Sequence, residues 1–228
     1  MTEAAAGGGA APPPMVRLRQ ARLGDVPSLV RLYRGQSAAA RGFYHPFPFD
    51  RLRLVPIFLW MVATTPRVRF WLRHLPRRAA YVFVATSSED DRPIGYGTIR
   101  FEVPVGEDPW AKFGYLVSEG RRGQGIGTLI ASTQLRCARG LGLRRGGGYI
   151  VQGNTASAGV VEKFGHPLTE TAPDRRAPRG AVNLVSVGPL EEMIAHYDQA
   201  AARPKPGTAR LSAVDGHLRA LGAVPGRA

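Results

Sequence analysis

The chain has 228 residues and a formal net charge of +14, from 31 Lys and Arg against 17 Asp and Glu. This length suits one substantial domain with extensions. Only Lys112, Lys163 and Lys205 are lysines, so arginine supplies nearly all the positive charge, a coding bias that weakens any argument from charge alone. The single cysteine, Cys137, excludes an intrachain disulfide, and its spacing predicts an inert packing role on a helix.

The sequence shows no targeting or membrane segment. Residues 1–14 are rich in Ala, Gly and Pro and lack the basic start and apolar core of a signal peptide, so we expect them to be disordered. The apolar stretch from Leu52 to Ala63 is about half the length that a membrane span needs, and Arg53 and Pro56 interrupt it. These observations predict a cytoplasmic protein with no membrane contact.

The first part of the chain reads as a strand, a helix and an aromatic segment. Alternating apolar and basic residues predict a strand at 16–20, and Asp25 before Pro27 is predicted to cap a helix at about 26–35. The segment 36–78 combines a dense group of aromatic residues with two apolar helices, the first kinked near Pro56. Core packing is the simplest role for these aromatic residues, and the wall of a pocket is the alternative.

Period-two patterns at about 81–86, 94–101 and 112–117 predict an antiparallel meander. Gly95 and Gly97 within it are expected to admit a second backbone or a ligand. A helix at about 125–139 then leads to a strand at 149–151. Because a helix crosses over between them, that strand should run parallel to its predecessor.

The remaining chain is predicted to hold a helix capped by Asn154, a strand at 182–187 and a helix at 190–197. A linker rich in Pro and Gly follows. Val214, Leu218 and Leu221 recur at helical spacing, so we expect a short final helix that is capped by Ser212 and docks on the body or on a second subunit.

The stretch from Arg121 to Thr128 reads RRGQGIGT and lies between a predicted strand and a predicted helix. Glycine permits positive φ and close approach of the backbone, and the unpaired N–H groups at a helix start attract anions. Two adjacent arginines can grip phosphate. The stretch therefore predicts a phosphate cradle. The absence of a Lys-Ser or Lys-Thr pair argues against a P-loop, and Thr128 with no acid about twenty residues later argues against a dinucleotide fingerprint.

The run Arg122-Gly123-Gln124-Gly125-Ile126-Gly127, preceded by Tyr115-Leu116-Val117, resembles the pyrophosphate loop of the GNAT (Gcn5-related) acyltransferases. A second run, from Asn154 through Ser157 to Gly165, resembles the closing motif of the same family, with Val161 in place of the usual Tyr and His166 in place of the usual Phe. Together the resemblance covers about residues 15–190.

The resemblance implies an α/β (α+β) GNAT fold: a mixed, mostly antiparallel central sheet of about six or seven strands, splayed between strands 4 and 5, with helices on both faces. We expect the GNAT domain to span 15–200, with 36–78 as a variable helical insertion on the acceptor side. Residues 201–228 should form a linker and a short C-terminal helix.

The resemblance also implies an N-acyltransferase that moves an acyl group, most often acetyl, from acyl-CoA to a primary amine by direct attack in a ternary complex. Backbone groups at Leu116 and Val117 would hold the pantetheine arm and polarise the thioester, while Asn154 would hydrogen-bond the arm or merely cap its helix. The implied CoA-binding residues are Leu116, Val117, Arg121, Arg122, Gly123, Gln124, Gly125, Ile126, Gly127, Thr128 and Asn154. We expect no metal, because His74 and His196 lack the spacing of metal ligands.

Proton handling is the point where this chain departs from the family. The usual Tyr reprotonates the CoA thiolate, and Val161 cannot. Tyr115 and Ser157 are the candidate catalytic residues in its place, with a water molecule as the alternative. Candidate bases are Tyr115 again and, in the aromatic segment, Tyr44, His45 and Asp50.

Two other functions stay open at this stage. A GNAT-fold protein that binds acyl-CoA without turnover would fit Val161, and a nucleic-acid binder would fit the net charge. Because the arginines are scattered and no recognition motif occurs, we expect no nucleic-acid partner. The acceptor amine, whether sugar, peptide, lysine or polyamine, and a homodimeric state are left open. A direct test of the cradle is Gly125→Glu, which we expect to abolish CoA binding while the protein still folds.

Overall fold

The computed structural model describes residues 14–42, 51–104, 108–165, 167–170, 183–202 and 207–223. The expectations for residues 1–13, for Tyr44, His45 and Asp50, and for His166 lie outside the described residues. The strands are β1 Met15–Gln20, β2 Ala80–Ser87, β3 Pro93–Glu102, β4 Trp110–Val117, β5 Arg145–Val151, β6 Thr169–Glu170, β7 Asn183–Pro189 and β8 Arg210–Val214. The helices are α1 Val26–Arg34, α2 Ala38–Gly42, α3 Arg51–Thr64, α4 Val68–His74, α5 Ile126–Gly140, α6 Thr155–Val161, α7 Leu190–Ala201 and α8 Gly216–Ala220.

All eight described strands form one sheet in the order β6-β7-β5-β4-β3-β2-β1-β8. Neighbouring strands are antiparallel except β4 with β5 and β1 with β8, which are parallel. The predicted fold class, a mixed and mostly antiparallel sheet with helices, is confirmed. The described part of the chain has eight strands instead of six or seven, because β6 and β8 escaped prediction.

The sheet is covered by helices on both faces, and β2 shows why. Its side chains alternate between two buried clusters: Tyr81, Phe83 and Ala85 pack with α5 and α7, whereas Val82 and Val84 pack with α1 and α3. A strand with two buried faces reads as a nearly continuous apolar run, as residues 80–85 do. The α1 and α3 face is closed by Phe58, whose ring makes edge contacts with Tyr33 and Tyr96.

Two glycines in β3 allow α5 to lie close to the sheet. A side chain at Gly97 would come within 2.5 Å of the Phe83 ring, and one at Gly95 would meet Ile130 of α5 at 3.0 Å. At Gly95 a Cβ would also meet the backbone carbonyl oxygen of Leu116 at 2.9 Å, so the expected approach of a second backbone is confirmed there, and both glycines make room for side chains of the protein. Because α5 carries the glycine loop at its start, this packing sets the position of the loop.

The C-terminal region differs from its prediction. Instead of one helix beginning at Ser212, the described chain forms strand β8, paired with β1, and the short helix α8. Ser212 lies within β8, and Asp215 is the residue that caps α8, because its carboxylate accepts the Leu218 N–H at 2.8 Å. Leu218 and Leu221 are buried against the core.

Asp25 also has a different role from the one predicted. Its side chain makes no capping bond to α1. Instead its two carboxylate oxygens accept hydrogen bonds from the buried Arg19 guanidinium at 2.7 and 2.8 Å, and one accepts the Arg22 N–H at 2.7 Å. The reason is that a buried arginine on the adjacent strand competes for the carboxylate more strongly than a helix N–H does.

Among the described residues, no helix has both the length and the apolar character that crossing a membrane requires.

Candidate active site

The gap between β4 and β5 is the main irregularity of the sheet. The two strands pair only at Ala111 with Gly146 and at Lys112 with Gly147, and then diverge. On their other sides, β4 is paired with β3 along its whole length and β5 is paired with β7 along its whole length. The edge of β4 from residues 114 to 117 is therefore left without a strand partner, and an extended ligand can add there as a strand does.

The glycine loop lies at the open end of this gap. Gly123 and Gly125 have φ of 76° and 79°, the left-handed region that glycine adopts at little cost. No side chain caps α5, and the N–H groups of Ile126, Gly127 and Thr128 have no hydrogen-bond partner among the described residues. Three unpaired donors at the positive end of a 15-residue helix make a seat for an anion.

The two arginines of the loop have different surroundings. Arg122 donates to Gln36 Oε1 at 2.5 Å and lies 3.5 Å from the Glu119 carboxylate, so it holds the loop to the end of α1. Arg121 is exposed, lines the cavity at the loop and has no ion-pair partner among the described residues. Arg121 is therefore the arginine that can turn to a phosphate.

A cavity of about 700 Å³ joins the glycine loop to the gap. Its wall includes twelve of the thirteen predicted site residues: ten from β4, the loop and α5, together with Asn154 and Ser157 of the α6 region. The members of the predicted set that line it are Tyr115, Leu116, Val117, Arg121, Arg122, Gly123, Gly125, Ile126, Gly127, Thr128, Asn154 and Ser157. The fold thus brings nearly all of them to one place.

Gln124 is the predicted residue that does not line the cavity. Its carbonyl oxygen accepts the Ala209 N–H at 2.7 Å, and its side-chain Oε1 is buried with no hydrogen-bond partner in the part of the chain that the structure describes. The reason is that the C-terminal segment packs on this side of the loop, which sequence reasoning did not foresee.

The same packing changes the meaning of Gly125→Glu. A Cβ at Gly125 would lie 2.7 Å from the γ-methyl of Thr208, and the residue has positive φ. The substitution would therefore strain the loop and push on the C-terminal segment, in addition to placing a carboxylate near the anion seat. We had expected this substitution to abolish CoA binding without affecting folding, but a loss of binding could also come from the strained loop.

Tyr115 and Ser157 meet at the inner end of the cavity. Burial raises the pKa of the Tyr115 hydroxyl, and the nearby Ser157 hydroxyl opposes this only weakly. The Tyr115 oxygen is buried without a well-formed hydrogen bond. A phenol in this state keeps its proton at neutral pH, so Tyr115 is suited to donate a proton and is a poor base.

Asn154 caps α6 through its side chain, which accepts the Ser157 N–H at 3.2 Å. It also lines the cavity, so its position is compatible with both roles considered for it, the helix cap and the contact with the ligand's arm. The bond leaves the amide nitrogen of Asn154 available to the cavity, because the oxygen is the atom used in the cap.

Sequence reasoning missed Lys163 and Tyr197. Lys163 lines the cavity and donates to Thr128 Oγ1 at 3.0 Å, so it brings a cation to the first turn of α5. Tyr197 of α7 lines the cavity on the same side. No local sequence pattern marks Lys163, because its approach to Thr128 depends on where the fold places the turn Glu162–Phe164.

Comparison with known proteins agrees with this geometry. The family model described as "Acetyltransferase (GNAT) domain" matches residues 16–166, well over half of the chain. No curated protein matches the sequence significantly.

Solved structures resemble the fold at low sequence identity. The acetyl-CoA complex of yncA from Salmonella typhimurium has a TM-score of 0.60 at 17% identity, covering 77% of this chain and 94% of that one. RimJ of Mycobacterium smegmatis, in complex with CoA-disulfide, has a TM-score of 0.58 at 22% identity, covering 82% and 88%. A GCN5-related N-acetyltransferase from Kribbella flavida has a TM-score of 0.59 at 20% identity, covering 76% and 97%.

The splayed sheet with a glycine loop at the head of α5 defines the class of the protein, an acyltransferase. The family match is more specific. This chain belongs to the GNAT acetyltransferase family.

Proposed function

We propose that the protein is an acyl-CoA-dependent N-acyltransferase that moves a short acyl group, acetyl in the simplest case, to a primary amine. The observation that carries the proposal is the continuity of the unpaired β4 edge with the unpaired N–H groups at the start of α5. An acyl-CoA has the matching shape, an extended amide-containing arm that ends in a diphosphate. The yncA and RimJ structures, which hold acetyl-CoA and CoA-disulfide, support this choice of donor.

The chain's own groups would hold the donor as follows. N–H groups from Ile126 to Thr128 would bind the diphosphate, and Arg121 and Lys163 would add charge beside it. Backbone groups of Leu116 and Val117 would hold the arm in the gap, and Asn154 would hydrogen-bond it from the opposite side. Arg122 would act indirectly, by holding the loop against Gln36.

The reaction needs positioning and one proton donor. The amine nitrogen attacks the thioester carbonyl carbon, the C–N bond forms, the C–S bond breaks and the amine nitrogen releases a proton to solvent water. Backbone N–H groups on the free edge of β4 would stabilise the developing oxyanion. Tyr115, which burial keeps protonated, would give the sulfur its proton and regain one from solvent water, and so take the role of the missing Tyr at Val161, with Ser157 close to it.

The acceptor would approach from the face that carries α1, α2 and α3. Ala40 of α2 lines the same cavity as Leu116, so this face contributes to the wall of the site. Residues 15–200 would make up the catalytic domain, and the insertion at 36–78 would shape the acceptor pocket. An amine is the acceptor that the family suggests, and its identity is the object of the test.

The test is a thiol-release assay with acetyl-CoA and a panel containing a sugar amine, a peptide with a free N-terminus, a lysine peptide and a polyamine. We expect thiol release above the rate of hydrolysis with at least one class. CoA binding measured by calorimetry accompanies the assay. A protein that does not bind CoA would refute the proposal at its base.

A second function is favoured by one observation, the Val161 replacement. Under this alternative the protein binds acyl-CoA as a sensor or scaffold and does not turn it over. Tight CoA binding without thiol release on any amine class would support the sensor.

A further inference from the structure

A second cavity, of about 100 Å³, lies where β4 and β5 come together. It shares Tyr115, Asn154, Ser157 and Val160 with the larger cavity, so it continues that cavity inward, past the proposed thioester position. Most of its wall is apolar and comes from β4, β5, α5 and α6. None of the described residues that line it carries a charge.

Besides the Tyr115 hydroxyl, two buried polar atoms of residues on this wall have no hydrogen-bond partner among the described residues. Gln134 is fully buried, and its Nε2 donates to the carbonyl oxygens of Thr98 and Gly114, both at 2.8 Å. These two acceptors fix the orientation of the amide, so the unpartnered atom is the acceptor Oε1. The Oγ of Ser186, a residue that is 2% exposed, is likewise unpartnered.

Unpartnered polar atoms of this kind are unfavourable unless something binds them. Each buried group without a partner costs about 1–3 kcal/mol, so two of them on residues that line one cavity indicate a polar occupant. Val161 also lines this cavity, and the Tyr that the family usually has there would fill part of it. The replacement that removes the usual proton donor therefore also leaves room beyond the thioester.

We propose that this second cavity is an acyl pocket for a short, neutral acyl chain that carries a hydroxyl group, as in a 3-hydroxyacyl-CoA. The inference rests on the proposed function, since it deepens the identity of the donor. A water molecule occupies about 30 Å³ in the liquid, so the cavity takes about three atoms beyond acetyl. A hydroxyl can donate to Gln134 Oε1 and accept from Ser186 Oγ, which satisfies both atoms at once.

Charged acyl groups fit this wall poorly. A carboxylate would face the acceptor Oε1 of Gln134 with no cation among the described lining residues. An ammonium group would be buried without a counter-charge, which is unfavourable in a largely apolar cavity. A purely apolar chain would fit by size but would leave Gln134 and Ser186 unpartnered.

The experiment compares the binding of CoA, acetyl-CoA, butyryl-CoA and 3-hydroxybutyryl-CoA to the full-length protein by calorimetry. Butyryl and 3-hydroxybutyryl have the same carbon chain, so their affinity ratio isolates the hydroxyl. We expect 3-hydroxybutyryl-CoA to bind about tenfold more tightly than butyryl-CoA, the effect of one or two net hydrogen bonds.

Two variants test the wall itself. Ser186→Ala removes an atom that bonds to nothing in the described protein, so its melting temperature should be unchanged or higher, while the hydroxyl preference falls about threefold or more. Val161→Tyr should fill the cavity, so that both four-carbon donors lose affinity and acetyl-CoA keeps it.

Equal affinity for the two four-carbon donors, or a preference that Ser186→Ala leaves unchanged, would overturn the inference and mean that water satisfies these atoms. Tight binding of acetyl-CoA with rejection of both four-carbon donors would overturn the acyl pocket and leave the proposed function standing. Failure to bind any of the four compounds would overturn the proposed function as well.

Discussion

The backbone N–H of Ala209 donates to the carbonyl oxygen of Gln124 at 2.7 Å, and this bond joins the C-terminal segment to the glycine loop. Beside it, the γ-methyl of Thr208 fills the space above Gly125. From this point the chain continues through β8 to Leu221, which reaches the other end of α5 at Gly140. The anion seat is therefore supported by a segment that lies outside the part of the chain matched by the family model.

The first prediction is that Ala209→Pro weakens CoA binding about fivefold to tenfold. The substitution removes the N–H that holds the Gln124 carbonyl, so the loop is less ordered in the free protein. Ordering the loop on ligand binding then costs free energy and lowers the affinity. Calorimetric titration with CoA measures the effect. Arg210→Pro is the matched control, because it removes the neighbouring N–H bond to Pro14 and does not touch the loop. Equal losses of affinity in both variants would mean that the segment has only a general stabilising role.

The second prediction concerns the far end of α5. A Cβ at Gly140 would lie 2.1 Å from the Leu221 carbonyl oxygen, so the two backbones would have to move apart to accept it. We therefore expect Gly140→Ala to lower the free energy of unfolding by about 1–3 kcal/mol and to speed hydrogen exchange in residues 210–223.

Gly159→Ala is the control for this substitution, because a Cβ at Gly159 in α6 meets no atom within 4 Å. It should be neutral, or stabilising by about 0.5–1 kcal/mol, since alanine favours a helix. Unchanged exchange across residues 210–223 in Gly140→Ala would show that the C-terminal segment is not docked on α5 in solution.

The third prediction separates the two arginines of the loop. Arg121→Ala should weaken CoA binding about tenfold, because a charge-assisted hydrogen bond to phosphate is lost. Arg122→Ala should act mainly on stability, because its guanidinium is engaged with Gln36 and Glu119. Calorimetry at two salt concentrations tests this, since only the loss of a phosphate contact reduces the salt dependence of binding. A larger loss of affinity in Arg122→Ala would reverse the assignment.

The fourth prediction concerns Tyr115. Tyr115→Phe should lower the rate of thiol release about a hundredfold and leave CoA affinity unchanged, because only the proton donor is removed. Burial holds the pKa of Tyr115 above its ordinary value of 10.0, so the group stays protonated below that pH. The rate in the wild-type protein should therefore show no decline from loss of this proton up to about pH 10. If Tyr115→Phe released thiol at the wild-type rate, Tyr115 would not be the proton donor, and a water molecule would protonate the sulfur instead.

The glycine loop could be predicted from sequence because its signal is local. Glycines at 123, 125 and 127 directly after a strand leave few conformations, and the structure has Gly123 and Gly125 at the positive φ that this pattern predicts. The divergence of β4 and β5 came from the resemblance alone, and the pairing confirms it. No pattern within either strand encodes that divergence, since it depends on which neighbours each strand has.

The errors came from contacts that are distant in sequence. Val214, Leu218 and Leu221 are spaced as on one helix, yet Val214 is in β8 and Leu218 is in α8, because pairing with β1 outweighs local preference for a helix. Asp25 stands where a helix cap is common, and only the fold places Arg19 against it. The unpartnered atoms of Gln134 and Ser186 could not be predicted from sequence either, because their surroundings are also formed by residues that are distant in sequence.

The last prediction is that the Arg19–Asp25 pair makes stability fall in acid. Burial alone would raise the pKa of Asp25, but hydrogen bonds from Arg19 and from the Arg22 N–H outweigh it and hold the pKa below its ordinary value of 3.8. The unfolded chain therefore takes up the proton more readily than the folded chain. The stability from this pair is fully present above about pH 5 and is lost as the pH falls below about 4 and through the folded pKa.

Urea unfolding between pH 3 and pH 7 measures this dependence. Asp25→Asn should be less stable by about 3–5 kcal/mol at pH 7, because it leaves a buried guanidinium poorly paired, and its stability should fall less steeply in acid. Asp91→Asn is the control: it also removes a carboxylate bonded to Arg19, at 3.0 Å, but one that is half exposed. That exposed contact should contribute about 1 kcal/mol or less. Equal effects from the two substitutions would mean that Asp25 holds Arg19 no more strongly than a surface ion pair does.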